Sequence, residues 1–125
     1  MINTYASEKH VEWLELPTMP GVSGKLLGVD RQTKAHAYLV RYKPGTVFPR
    51  HGHPCLEHVY IVEGAVTVDG REHGAGTHFV YPAGQEHGPY ENAGKLTELV
   101  FFSGMSGLET MEPVIAELFR KEGLL

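Results

Sequence analysis

The stretch Gly45–Gly64, GTVFPRHGHPCLEHVYIVEG, has two histidines one residue apart, a glutamate four residues later and a glycine at each end. In an extended strand successive side chains leave on opposite faces, so residues 51, 53, 57, 59 and 61 share one side. His51, His53 and Glu57 then project together with Val59 and Ile61. An apolar face that turns into two imidazoles and a carboxylate at one end is hard to explain by packing alone. Buried, these groups need partners, and one divalent metal ion satisfies all three. The competing reading is a solvated polar loop, and the rest of the chain has to separate the two.

Working outward, the chain is punctuated by 15 glycines and 8 prolines spread along its 125 residues. Short apolar runs between such breakers read as strands and turns, the pattern of a β-barrel or sandwich. Strands are expected at 35–42, 59–62, 65–68, 77–81 and 96–102, with a hairpin turn at Asp69-Gly70. The C-terminus differs. Leu108, Met111, Ile115, Leu118 and Phe119 follow helical spacing, which predicts one amphipathic helix over about 108–122. Pro113 is tolerable in its first turn and Gly123 stands where a C-cap belongs. Its expected job is to cover an open end of the barrel, and a subunit interface is the competing role.

A second glycine-bounded segment, Gly76–His87, reads GTHFVYPAGQEH and supplies a further histidine, His87. The two segments together resemble the motifs of the cupin superfamily. The first motif, G-x5-H-x-H-x3-E-x6-G, is met by Gly45, His51, His53, Glu57 and Gly64. The second, G-x5-P-x-G-x2-H-x3-N, is met over 76–92 by Gly76, Pro82, Gly84 and His87, with Glu91 in place of the asparagine and Asn92 following. The resemblance implies an all-β double-stranded β-helix (jelly-roll) barrel carrying the C-terminal α-helix, with residues 1–125 as a single cupin domain. It also implies His51, His53, Glu57 and His87 as ligands of one divalent transition metal ion. Fe(II) is favoured, while Zn(II), Mn(II), Ni(II) and Cu(II) suit the same donors.

Upstream, Trp13, Pro20-Gly21-Val22, Lys25, Leu27, Leu39-Val40-Arg41 and Pro44-Gly45 are similar to the subgroup around the cupin lobe of a zinc-containing anti-sigma factor. Acetylacetone dioxygenase and related aryl-ketone-cleaving dioxygenases belong near it. The resemblance therefore implies a mononuclear iron dioxygenase acting on a small organic molecule such as a diketone or hydroxyketone. A metal-dependent isomerase or lyase of a sugar or keto acid, and a non-catalytic metal or small-molecule sensor, are the alternatives.

Composition sets outer limits. Eleven basic against 15 acidic residues give a formal charge of −4, which speaks against nucleic acid as the main partner. The single cysteine, Cys55, excludes an internal disulfide and fits a reducing, cytoplasmic compartment. No stretch has the length and apolarity of a membrane span. A homodimer is expected, because an exposed strand edge in a small domain favours coverage by a partner.

Substrate-lining candidates are Tyr38, Arg41, Phe79, Tyr81, Gln85, Val100 and Phe102. Leu96, Glu98, Val100 and Phe102 share a strand face, so Glu98 is an inward carboxylate among apolar residues and a candidate catalytic base. Cys55 is expected as a packed or partly exposed thiol. His58, Tyr60, His73 and His78 are expected outside the site, and His10 and His36 have no partner visible in the sequence.

Overall fold

A computed structural model describes residues 11–125; His10 lies outside the described residues. Ten strands and two helices follow in the order β1 (Leu14–Glu15), β2 (Val22–Val29), β3 (His36–Tyr42), β4 (Val47–Phe48), β5 (Glu57–Glu63), β6 (Ala65–Val68), β7 (Arg71–Gly74), β8 (His78–Tyr81), β9 (Tyr90–Glu91), β10 (Leu96–Phe102), α1 (Leu108–Met111) and α2 (Pro113–Lys121). Two antiparallel sheets, β1-β2-β3-β10-β5-β8 and β4-β9-β6-β7, form the jelly roll. The expected hairpin between β6 and β7 turns at Asp69 (φ 51°) and Gly70 (φ 73°), two positive dihedrals in succession. Gly64, between β5 and β6, is required for a different reason. A Cβ there would lie 2.0 Å from the Lys95 carbonyl oxygen, so the chain can pass from one sheet to the other only on a bare backbone.

Alternation in the large sheet orders its inner face into rows. Glu57, Val59 and Ile61 on β5 are buried, as are Leu96, Glu98, Val100 and Phe102 on β10. Register places His36, Phe102, Glu57 and Tyr81 side by side across four strands. The next row inward is Tyr38, Val100, Val59 and Phe79, and the next is Val40, Glu98 and Ile61. The first row is mostly polar and the second is mostly apolar. The site therefore begins at one end of the barrel, and Glu98 lies about 13 Å further along the strand direction.

Two expectations need correction. The strand parity that gathered residues 51–61 holds only from Glu57 onward, because β5 starts there. His51 lies in an isolated bridge with His87, and His53 lies in a loop between Gly52 and Pro54. The single C-terminal helix is two helices. Proline disfavours helical dihedrals in the residue before it, and Glu112 is accordingly extended at φ −100°, ψ 110°. Glu112 then caps α2, accepting from the Val114 amide at 3.3 Å.

The end of α2 follows the sequence. Gly123 adopts φ 70°, its amide donates to Arg120 and the Leu124 amide donates to Phe119. This Schellman arrangement places buried Leu124 beside buried Phe119. Ile115 and Phe119 join the main core, so α2 covers one end of the barrel. Among the described residues no helix is long and apolar enough to cross a membrane.

Candidate metal centre

Three chain segments deliver the four donors. Glu57 opens β5 and faces inward, 6% exposed. His51 and His87 exchange backbone hydrogen bonds of 2.9 and 2.7 Å, which clamps the loop before β5 against the loop after β8. The Gly84 amide donates to the His53 carbonyl at 2.8 Å and tightens the same clamp. Gly52 lies close against this clamp, since a Cβ would come 3.1 Å from the Gln85 carbonyl.

The donor atoms of His51, His53, Glu57 and His87 all lie within 4.8 Å of one another. His87 Nε2 is 3.1 Å and His53 Nε2 is 3.7 Å from Glu57 Oε1. The remaining ring nitrogens decide what these atoms can do. His51 Nδ1 lies 2.8 Å from the Pro49 carbonyl oxygen, and His53 Nδ1 lies 2.8 Å from that of Ser106. A carbonyl only accepts, so both Nδ1 atoms carry the hydrogen and both Nε2 lone pairs point toward the carboxylate. Burial further holds the His51 imidazole below its ordinary value, toward the neutral form. Glu57 Oε1 is buried with no hydrogen-bond partner. Lone pairs converging on a buried carboxyl oxygen repel one another unless a cation lies between them, so this cluster can hold a metal ion.

His87 is held differently. Its Nδ1 is buried without a hydrogen-bond partner. Its ring stacks instead on Tyr81, with centroids 3.8 Å apart and planes 16° from parallel.

The cluster opens onto a cavity of about 90 Å³ inside the barrel. Of the sequence candidates, Tyr38, Phe79, Tyr81, Glu98, Val100 and Phe102 line it together with all four donors. Two candidates do not. Arg41 alternates outward on β3 and lies over the Trp13 ring, 4.0 Å from its centroid. Gln85 is exposed at the end of the Pro82–Gln85 turn, its backbone amide donating to the Pro82 carbonyl at 3.1 Å. Among the lining residues there is no lysine or arginine.

Glu98 is 7% exposed, and burial pushes its carboxyl up to about 7 against a weaker opposing hydrogen bond from Tyr42. Burial likewise raises the phenols of Tyr38, Tyr42, Tyr81 and Tyr90, so these hydroxyls stay protonated.

Sequence reading missed Tyr42 and Tyr90, which also line the cavity. Tyr42 was within reach, since it shares parity with Tyr38 on β3. Ser106 was not, because it acts through a backbone carbonyl. Asn92 braces the turn before β4, donating to the Lys43 and Gly94 carbonyls at 2.8 and 2.7 Å. Cys55 is half-buried, with Sγ 3.6 Å from the Gly104 carbonyl, and burial raises its thiol. His58 and His78 pair on the outer face of the sheet, and His73 packs edge-on against Phe79.

The family model of the ChrR cupin-like domain matches residues 3–105. The chain belongs to this cupin family. Solved structures agree on the fold. An RmlC-like cupin from Shewanella frigidimarina NCIMB 400 is similar with a TM-score of 0.71 and 22% identity, over 82% of this chain and 92% of that one. Acetylacetone dioxygenase from Acinetobacter johnsonii gives a TM-score of 0.67 at 16% identity, over 83% and 74% of the two chains. The anti-sigma ChrR of Rhodobacter sphaeroides, solved in complex with SigE, gives 0.62 at 26% identity, over 77% of this cupin and 51% of ChrR. No curated protein matches the chain by sequence.

Proposed function

We propose that this cupin is a metal-dependent enzyme, a mononuclear iron dioxygenase acting on a small organic substrate such as a diketone or hydroxyketone. The observation that carries the reading is the placement of a four-donor cluster on the wall of a largely apolar cavity that also encloses the Glu98 carboxyl. His51, His53, Glu57 and His87 would hold the ion. An iron ion bound there supplies Lewis acidity and electron transfer to dioxygen.

The rest is the work of the chain. Tyr38, Phe79, Val100 and Phe102 wall the cavity and exclude water. With no cationic side chain among the lining residues, an uncharged diketone fits better than a keto acid. Glu98, poised near 7, exchanges a proton with such a substrate at neutral pH.

Glu98 also supports a second reading, a metal-dependent isomerase or lyase that moves a proton without consuming oxygen. Membership of the ChrR cupin-like family supports a third, a metal or small-molecule sensor. A cytoplasmic homodimer belongs to the same proposal. The outer face of β5, β8 and β10 exposes Tyr60, Val62, Val80, Leu99 and Phe101, an apolar surface that a second copy can cover.

Elemental analysis of untagged protein, followed by oxygen uptake with acetylacetone, tests the reading. Bound iron with substrate-dependent uptake supports the dioxygenase. Anaerobic turnover transfers the assignment to the isomerase, and stoichiometric zinc without turnover transfers it to the sensor.

A further inference from the structure

A second buried polar cluster lies at the same end of the barrel as the donors. Glu109, on α1, is fully buried. Its carboxylate accepts from the Ser106 amide at 3.1 Å, the Ser106 hydroxyl at 3.0 Å and the Gly107 amide at 2.9 Å. His36 Nε2, also fully enclosed, lies 3.1 Å from Glu109 Oε1. His36 Nδ1 lies 2.7 Å from the Lys34 carbonyl oxygen. Burying a carboxylate is costly, and an apolar residue would let α1 pack onto the barrel without that cost. These contacts outweigh burial and hold the Glu109 carboxyl down at about 2, so it remains ionised. Such a group does more than fill space.

Its target is the segment it holds. Residues 103–107 read SGMSG, a loop with two glycines and little intrinsic stiffness. The Ser106 carbonyl of this loop takes the Nδ1 hydrogen of His53. The three imidazoles differ in this respect. His51 uses a carbonyl two residues away, His87 relies on its stack with Tyr81, and His53 depends on a carbonyl 53 residues distant. The orientation of His53 is therefore only as good as the placement of Ser106.

We propose that Glu109 is a positioning residue for His53, fixing the 103–107 loop so that the Ser106 carbonyl selects the Nδ1–H tautomer and aims Nε2 at Glu57, with His36 as its buried partner. The role rests on the reading of His53 as a metal ligand.

The test compares Glu109→Gln with Glu112→Gln. Glu112 is also fully buried, three residues on, but it caps α2 and holds Thr18 instead of Ser106. In metal-free protein, ¹⁵N NMR should show a single Nδ1–H tautomer for His53 in wild type and in Glu112→Gln, and a mixture in Glu109→Gln. Titration with Co(II) alone should show affinity lowered roughly 10–100-fold, with an altered d–d spectrum, in Glu109→Gln. The Glu112→Gln affinity should stay within about 2-fold of wild type. Should Glu109→Gln fail to fold, Ser106→Ala removes one donor to Glu109 while keeping the carbonyl, and should weaken Co(II) in the same direction.

An unchanged His53 tautomer in Glu109→Gln, or equal Co(II) losses in the two glutamine variants, overturns the role of Glu109. Failure of the wild-type protein to bind Co(II) overturns the metal-site reading itself.

Discussion

Two groups of histidines gather at opposite faces of one sheet, around adjacent residues of β5. Glu57 points inward to His51, His53 and His87. His58, the next residue, points outward to His78, with Nδ1 and Nε2 2.9 Å apart and rings stacked within 12° of parallel. Sequence composition does not distinguish the two groups. The outer pair is reached by water, includes no carboxylate and satisfies one nitrogen with another. In the inner group Glu57 and His87 are buried and His51 and His53 half-buried, and the lone pairs converge on a carboxyl oxygen that has no hydrogen-bond partner. Histidine density alone does not make a candidate metal site; convergence of donors around a buried carboxyl does.

The largest test of this contrast is metal content. His87→Ala or Glu57→Ala should lower bound metal from about one ion per chain to below about 0.1, while His58→Ala and His78→Ala leave it at one. Elemental analysis of the purified variants reads this directly. Loss of metal from the outer-face variants would break the contrast.

Stability against pH probes the inner face next. The folded Glu98 carboxyl titrates near 7 where an ordinary one titrates at 4.5. The native state therefore holds this proton more tightly than the unfolded chain does. Stability is fully present below pH 4.5 and is lost as pH rises to 7. Glu98→Gln removes that loss, so at pH 8 the variant should exceed wild type by up to about 3 kcal/mol in urea unfolding, and at pH 4 the two should match. Glu63→Gln, outward on the neighbouring strand, should change stability by less than about 0.5 kcal/mol at either pH.

A smaller effect separates the inner histidines from one another. Tyr81→Leu removes the ring that holds His87 and should weaken Co(II) binding by about 10-fold in a competition titration. Smallest of all, His78→Ala should shift the unfolding free energy by less than about 0.5 kcal/mol and leave Co(II) affinity unchanged.

The legible parts of the molecule were those governed by local rules. The Asp69-Gly70 hairpin, the inward row on β10 and the glycine cap of α2 each follow from backbone preferences acting over a few residues. Pro113 was legible too, but its effect on Glu112 outweighed the helical periodicity around it and split the expected helix. Arg41 and Gln85 were misplaced because an inward direction was assumed for them. On β3 the alternation carries Arg41 out to Trp13, and Gln85 lies on a turn where no alternation operates.

The four donors and the cupin motifs that carry them were determined by the sequence itself, because their spacing survives in the linear chain. What only the tertiary structure decided is how the donors meet. His51 and His53 lie before β5, and they reach Glu57 because the loop bridge with His87 folds them over it. The Ser106 carbonyl and the Glu109 carboxylate that steady His53 arrive from the far end of the chain. Hydrogen-bond acceptors on a distant backbone leave no mark on local sequence, so the support of the site becomes visible only once the barrel closes.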